Sequence, residues 1–190
     1  MKRWLFLLIF ILIYSASFAQ THAEKKFIRM VIGEENILYN DKINFYWIKE
    51  IKEALNKDTL YDWKHGLRYE KHVLPDSLTF VLTASERSFI NQELDKMNTL
   101  AWKDNLLKHS ILITKQKLQQ YRDLHGGQSY YESQEYKKFH KSYTFTKPIF
   151  IRNNTVCFFY LAETYGGNLM IYIKDGKKWK LKYIPYFWTS

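Results

Sequence analysis

The chain carries a single cysteine, Cys157, so no disulfide can form within it and the fold must be held by packing. It has only three prolines, Pro75, Pro148 and Pro185, and seven glycines. No Pro-, Gly- or Ser-rich linker, low-complexity tract or internal repeat divides it, which excludes a string of tethered modules. The short motifs of common chemistries are missing too. There is no Gly-x-Ser-x-Gly elbow and no glycine loop of the phosphate-cradling kind. His65 and His72 flank Glu70 without the His-Glu-x-x-His spacing that sets two ligands one helical turn apart, and His22, His109, His125 and His140 are scattered. With no Cys or His pair at metal-ligand spacing, neither a metal nor another cofactor is expected.

What is present starts at the N-terminus. Lys2 and Arg3 precede an uncharged stretch from Trp4 to Ala19, dominated by Leu, Ile and Phe as far as Tyr14. A positive segment followed by an apolar one is the order of a secretory signal peptide, and Ser17-Phe18-Ala19 places small residues where a signal peptidase needs them. Residues 1–19 are therefore expected to be cleaved, leaving Gln20 as the first residue. The uncharged stretch falls short of the ~20 apolar residues that a membrane span requires. No transmembrane segment is expected after cleavage, and Cys157 is too far away to accept a lipoprotein anchor. The expected location is exported, either periplasmic or secreted.

Removing nineteen of 190 residues leaves 171, the size of one ordinary domain, so 20–190 is read as a single α+β domain. The net charge of +10 drops to +8 when Lys2 and Arg3 leave. A cation excess favours anionic partners, and outside the cytoplasm envelope polymers are more accessible than nucleic acid.

The helical part is expected over about 41–140. Phe27 to Tyr39, with Gly33 and Asn36 inside it, reads as a short strand or loop. Trp47, Ile48, Ile51, Ala54 and Leu55 recur at three- and four-residue steps, with Asp41 or Asn44 available as cap. Leu60 to Val73 is expected to be helical and to stop before Pro75. Thr83-Ala84-Ser85-Glu86 has capping-box form and precedes a stripe of Phe89, Ile90, Leu94 and Met97. Lys115 to Leu124 predicts a helix closed by Gly126-Gly127, and Ser129-Tyr130-Tyr131-Glu132 the start of a short one.

From about 142 to 185 the period changes to that of strands. Ser142–Ile151, Thr155–Ala162, Leu169–Lys174 and Lys178–Ile184 are rich in aromatic and β-branched residues and separated by turn residues, which predicts an antiparallel meander with a hairpin at Asp175-Gly176. Val156 to Leu161 is apolar on both faces and reads as a covered central strand. In the last strand Trp179, Leu181 and Tyr183 alternate with Lys178, Lys180 and Lys182. Helices first and strands later give an α+β fold, with the N-terminal helices packed on one face of the C-terminal antiparallel meander.

Tyr143-Thr144-Phe145-Thr146-Lys147-Pro148-Ile149-Phe150, then an apolar strand, a Gly-Gly turn, a second strand and Gly176-Lys177-Lys178-Trp179-Lys180, resembles a loose group of uncharacterised exported bacterial proteins. The Leu82-Thr83-Ala84-Ser85-Glu86 helix start is similar to the pattern upstream in that group. The resemblance covers roughly the second half of the mature chain and implies no activity. Cysteine-glycine pairs common near the turn in that group are replaced here by Glu163-Thr164-Tyr165-Gly166-Gly167.

Two kinds of site are conceivable. His140, Lys147 and Glu163, with Tyr165 nearby, all lie on or beside the expected sheet and form a ribonuclease-like set of weak catalytic candidates. The stripe of Lys178, Lys180 and Lys182, extended by Tyr143, Arg152 and Lys147, is a candidate anion-binding face, although lysines on a strand also keep an edge solvated. Cys157 sits in the most apolar strand and reads as a small hydrophobe rather than a nucleophile. The expected function is a non-catalytic binding or interaction domain of the bacterial cell envelope, meeting an anionic envelope component or another envelope protein. The alternative is a small secreted hydrolase or nuclease. On expression in a bacterium with a working export pathway, the intact mass of the product should correspond to a chain beginning at Gln20; a membrane-bound product retaining Met1 would overturn the signal-peptide reading.

Overall fold

A computed structural model describes residues 22–33, 36–63, 78–103, 106–139 and 141–189. The expected signal peptide, most of the expected 60–73 helix, and His140 lie outside the described residues.

The fold is α+β. A helix over 22–32 (α1) leads into β1 (Ile37–Asn40), then α2 (Phe45–Leu55), a small hairpin of β2 (Thr59–Tyr61) and β3 (Thr79–Val81), and α3 (Ala84–Lys96). β4 (Ile111–Ile113), α4 (Lys115–Leu124), a 3-10 turn at Tyr130–Glu132 and α5 (Gln134–Lys137) follow. The chain ends in β5 (Lys141–Phe145), β6 (Ile149–Ile151), β7 (Val156–Glu163), β8 (Gly166–Asp175) and β9 (Lys178–Thr189). The main sheet runs β4-β1-β5-β7-β8-β9, with β6 also on β7. From β5 onward it is the antiparallel meander that the sequence predicts, while β1 pairs in parallel with both β4 and β5. Those parallel neighbours are reached through helical crossovers, the connection that parallel strands need.

Local signals explain most of the helices. Asn44, rather than Asp41, caps α2, its side chain accepting from Tyr46 N at 3.0 Å. At α3 both halves of the capping box form: Glu86 N donates to Thr83 Oγ1 and Thr83 N donates to Glu86 Oε2. Ile90, Leu94 and Met97 are buried as expected, but Phe89 is exposed. α4 is capped by Thr114 and closes where Gly126 and Gly127 take positive φ. The turn after Ser129 is a single 3-10 turn without a side-chain cap; Ser133 instead caps α5.

Three expected segments change their type or bounds. The 27–39 segment is neither one strand nor loop: 22–32 is helical, with Glu24, Phe27, Ile28 and Ile32 buried along one stripe, and Gly33 closes it at φ 89°. Leu60 and Tyr61 belong to a strand, not a helix. Ser142–Ile151 is broken in two at Thr146-Lys147-Pro148, where Pro148 has no N–H to give to the ladder. The buried Thr146 repairs the gap: its N–H donates to Tyr160 O at 3.0 Å and its hydroxyl accepts from Tyr160 N at 2.9 Å.

β7 is buried on both faces from Val156 to Tyr160. Val156, Phe158, Tyr160 and Ala162 face a core supplied by α2, α3 and the β2–β3 hairpin; Cys157 and Phe159 face a second core supplied by α1. The helices read from the sequence therefore sit on one face, and α1 covers the other. A third cluster, Leu38, Ile113 and Tyr130, lies beneath α4 and α5.

The Gly166-Gly167 pair is not a turn. Both residues are the start of β8, and a Cβ at Gly167 would come within 2.5 Å of Trp188 Nε1 and 2.6 Å of Tyr160 Oη. The missing side chain lets Trp188 Nε1 donate to Tyr160 Oη at 2.8 Å, while Trp47 stacks on Trp188 at 4.5 Å. β9 is also irregular. Register shifts opposite Ile171 place Tyr183 in the α2/α3 core, whereas Trp179 packs with the α1 core, so the expected alternation holds only up to Leu181. At the edge of β9 away from β8, the buried carboxylate of Asp62 accepts from Ile184 N at 3.1 Å. Substituting Gly167→Ala should lower stability by about 2 kcal/mol through overpacking, read as a drop in the urea midpoint with an accompanying change in tryptophan fluorescence.

Candidate functional site

Among the described residues the catalytic candidates Lys147, Glu163 and Tyr165 do not converge. Lys147 projects from the break between β5 and β6 and holds the buried Glu24 of α1 at 2.9 Å. Burial pushes the Glu24 carboxyl up more than Lys147 pulls it down, with Glu93 adding a further push. A carboxyl raised in this way binds its proton more tightly when folded, so its contribution to stability declines as pH rises through the folded value. Glu163 is exposed at the end of β7 and Tyr165 is 77% exposed in the following turn. Thr146 pairs with Tyr160, so Lys147 falls opposite Phe159, four residues from Glu163, which puts the two roughly 13 Å apart along the strand. Cys157 is buried, and desolvation drives its thiol well up, as fits a small hydrophobe.

The binding candidates divide as well. Tyr143 is buried in the α1 core. Arg152 is a structural clamp: Nε donates to Glu86 Oε1 at 2.7 Å, Nη2 donates to Val81 O at 2.8 Å, and the guanidinium lies 4.6 Å over the Phe80 ring. Its charge and hydrogen bonds lower Glu86 to about 2. Lys178, Lys180 and Lys182 are exposed, but Lys180 is paired with Asp175, whose carboxyl it holds below the ordinary value with help from Lys182. The lysine stripe is thus partly neutralised at its own hairpin. Among the described residues no group of three His, Cys, Asp or Glu is placed to hold a metal, and no helix is long and apolar enough to cross a membrane.

The recess that the structure does form was not read from the sequence. α2 gives one wall with Glu50, Glu53, Ala54 and Lys57; β2 and the residues after it give Thr59, Leu60, Tyr61 and Trp63; β9 gives Pro185, Tyr186 and Phe187. This open groove has a volume of about 330 Å³. Tyr61 and Trp63 are tilted against each other with centroids 5.9 Å apart. The Tyr186 phenol is pushed up first by burial and then by the charge of Glu50 and by Tyr46, and Glu50 and Tyr186 line the same groove. In the sequence Glu50 and Glu53 look like ordinary solvent-facing positions of an amphipathic helix; only their three-residue spacing hints that they share a side. Tyr186 lay beyond the expected end of the last strand.

A second groove of about 420 Å³ separates α2 from α3, lined by Phe45, Lys49, Lys52, Asn91 and Asp95 among others. Its charges answer one another, with Lys52 bound to Asp95 at 2.7 Å. Comparison of the chain with protein-family models, with curated proteins and with solved structures finds no match. The functional reading therefore rests on geometry and chemistry.

The Arg152–Glu86 clamp has a signed pH consequence. Glu86 falls from an ordinary 4.5 to about 2, so its contribution to stability is present above pH 4.5 and lost as pH falls towards 2. Glu86→Gln should cost about 1 kcal/mol at pH 7, discounted for the exposure of Arg152. The difference from wild type should shrink between pH 4.5 and 2 in urea melts; a constant difference across that window would contradict the assignment.

Proposed function

We propose that the chain is an exported, non-catalytic binding domain of the bacterial cell envelope. The observation that carries this reading is the dispersal of its reactive side chains. Lys147 is held by Glu24, Arg152 by Glu86 and Lys180 by Asp175, while Glu163 and Tyr165 face solvent without, among the described residues, a partner that could activate them. Of the two grooves described, the one between α2, β2 and β9 is open and aromatic, a form suited to gripping rather than to excluding water from a reaction. The signal-peptide pattern at 1–19 supports export, and the resemblance to exported bacterial proteins in the second half points the same way. The reading leaves two partner classes, an anionic envelope component and another envelope protein.

The test combines location with turnover. The chain, expressed with its own leader in a bacterium, should be recovered from the periplasm or medium. The purified product should cleave neither RNA, nitrophenyl esters nor peptidoglycan above buffer. Turnover that disappears in His140→Ala, Lys147→Ala or Glu163→Gln would replace the binding reading with the hydrolase or nuclease alternative.

A further inference from the structure

We infer that the groove between α2, β2 and the end of β9 takes a lysine or arginine side chain presented by a basic peptide segment of another envelope protein. This rests on the binding-domain reading and chooses between its two partner classes.

Charge is the first argument. The chain as a whole is strongly cationic at +10, yet among the described residues the groove presents Glu50 and Glu53 against the single cation Lys57. The local sign is opposite to that of the molecule, so a basic segment repelled elsewhere is attracted here, and an anionic polymer is disfavoured. The two carboxylates lie three residues apart on α2, which brings them to one side of the helix. Glu50 has no cationic partner among the described residues, and its charge acts on the Tyr186 phenol. Glu53 meets Lys49 at 3.7 Å, a long contact between side chains that are 61% and 63% exposed, and one that an incoming guanidinium can displace at little cost.

The rings are the second argument. Tyr61, Trp63 and Tyr186 line the same groove, and an aromatic face attracts a cation through its quadrupole, most strongly for tryptophan. A cation set between ring faces and a carboxylate satisfies both at once. A neutral saccharide would use the rings but would leave the Glu50 carboxylate to be partly desolvated without a counter-charge, which is unfavourable. Size and openness fit as well. About 330 Å³ is at the small end for ligand pockets, enough for one long side chain, and the open top lets the main chain on either side of that residue pass across.

The experiment titrates the exported product with acetyl-Ala-Arg-Ala-Arg-Ala-amide and with its glutamine counterpart, following tryptophan fluorescence and heat. The arginine peptide should bind at least about tenfold more tightly than the glutamine peptide, and its affinity should fall as salt rises. Glu50→Gln should weaken binding about tenfold with an unchanged urea midpoint, and Trp63→Ala should weaken it in low and high salt alike. Equal affinity for the two peptides, no response to Glu50→Gln in a folded variant, or no binding of either peptide overturns the inference. If a peptidoglycan fragment binds instead and loses affinity in Trp63→Ala, the occupant is a saccharide: the inference falls while the binding-domain reading stands. Cleavage of any of these probes overturns the binding-domain reading itself.

Discussion

A strand with no face to water imposes its own architecture. From Val156 to Tyr160 every side chain of β7 is buried, so each side of the sheet needs an apolar cover of its own. On one side α2, α3 and the β2–β3 hairpin provide it; on the other a single helix, α1, brings Phe27 and Ile28 against Cys157 and Phe159. Phe27 alone meets the rings of Phe150, Phe159, Tyr172 and Trp179 edge-on. With no disulfide to constrain the unfolded chain, these two aromatic cores carry the fold, and the hydrogen-bond repairs at Thr146 and Asp62 keep the sheet intact where its ladder is interrupted.

Much of this was legible in the residues, and the exceptions have physical causes. The capping box at Thr83, the choice of Asn44 from the two candidate caps of α2, and the double-sided apolarity of β7 depend on local chemistry and short spacing, and the structure has them within the pattern read from the residues. α1 was hidden because one member of its buried stripe is Glu24, an acid whose burial makes sense only beside Lys147, more than a hundred residues later in the chain. The parallel pairing of β1 was hidden for a similar reason: a four-residue strand acquires its meaning from β4 and β5. Gly166-Gly167 carries the composition of a turn, while its actual cause, room for the Trp188–Tyr160 contact, involves two other strands. In β9 the alternation was real as far as Leu181, and a bulge then turned the later residues over.

The candidate site was less legible than the fold. Residues conspicuous in the sequence, such as Arg152 and Lys147, proved conspicuous because they join distant elements: Arg152 ties the turn after β6 to the cap of α3, and Lys147 ties the sheet to α1. The groove draws instead on unremarkable positions, two glutamates of a helix and rings at the ends of two strands, that become neighbours only when β9 continues past Ile184 to run alongside α2. Proximity created by a strand's length is invisible to residue spacing.

Asp62 has a bearing on how the molecule behaves in company. β9 is the outer member of the sheet, the place where a stray strand from another molecule would ordinarily zip on, and the carboxylate already occupies Ile184 N–H while Pro185 next to it has no donor at all. A foreign backbone arriving there finds a stoppered seam. For a chain without a covalent staple, that stopper makes sheet-to-sheet pairing between crowded copies less favourable.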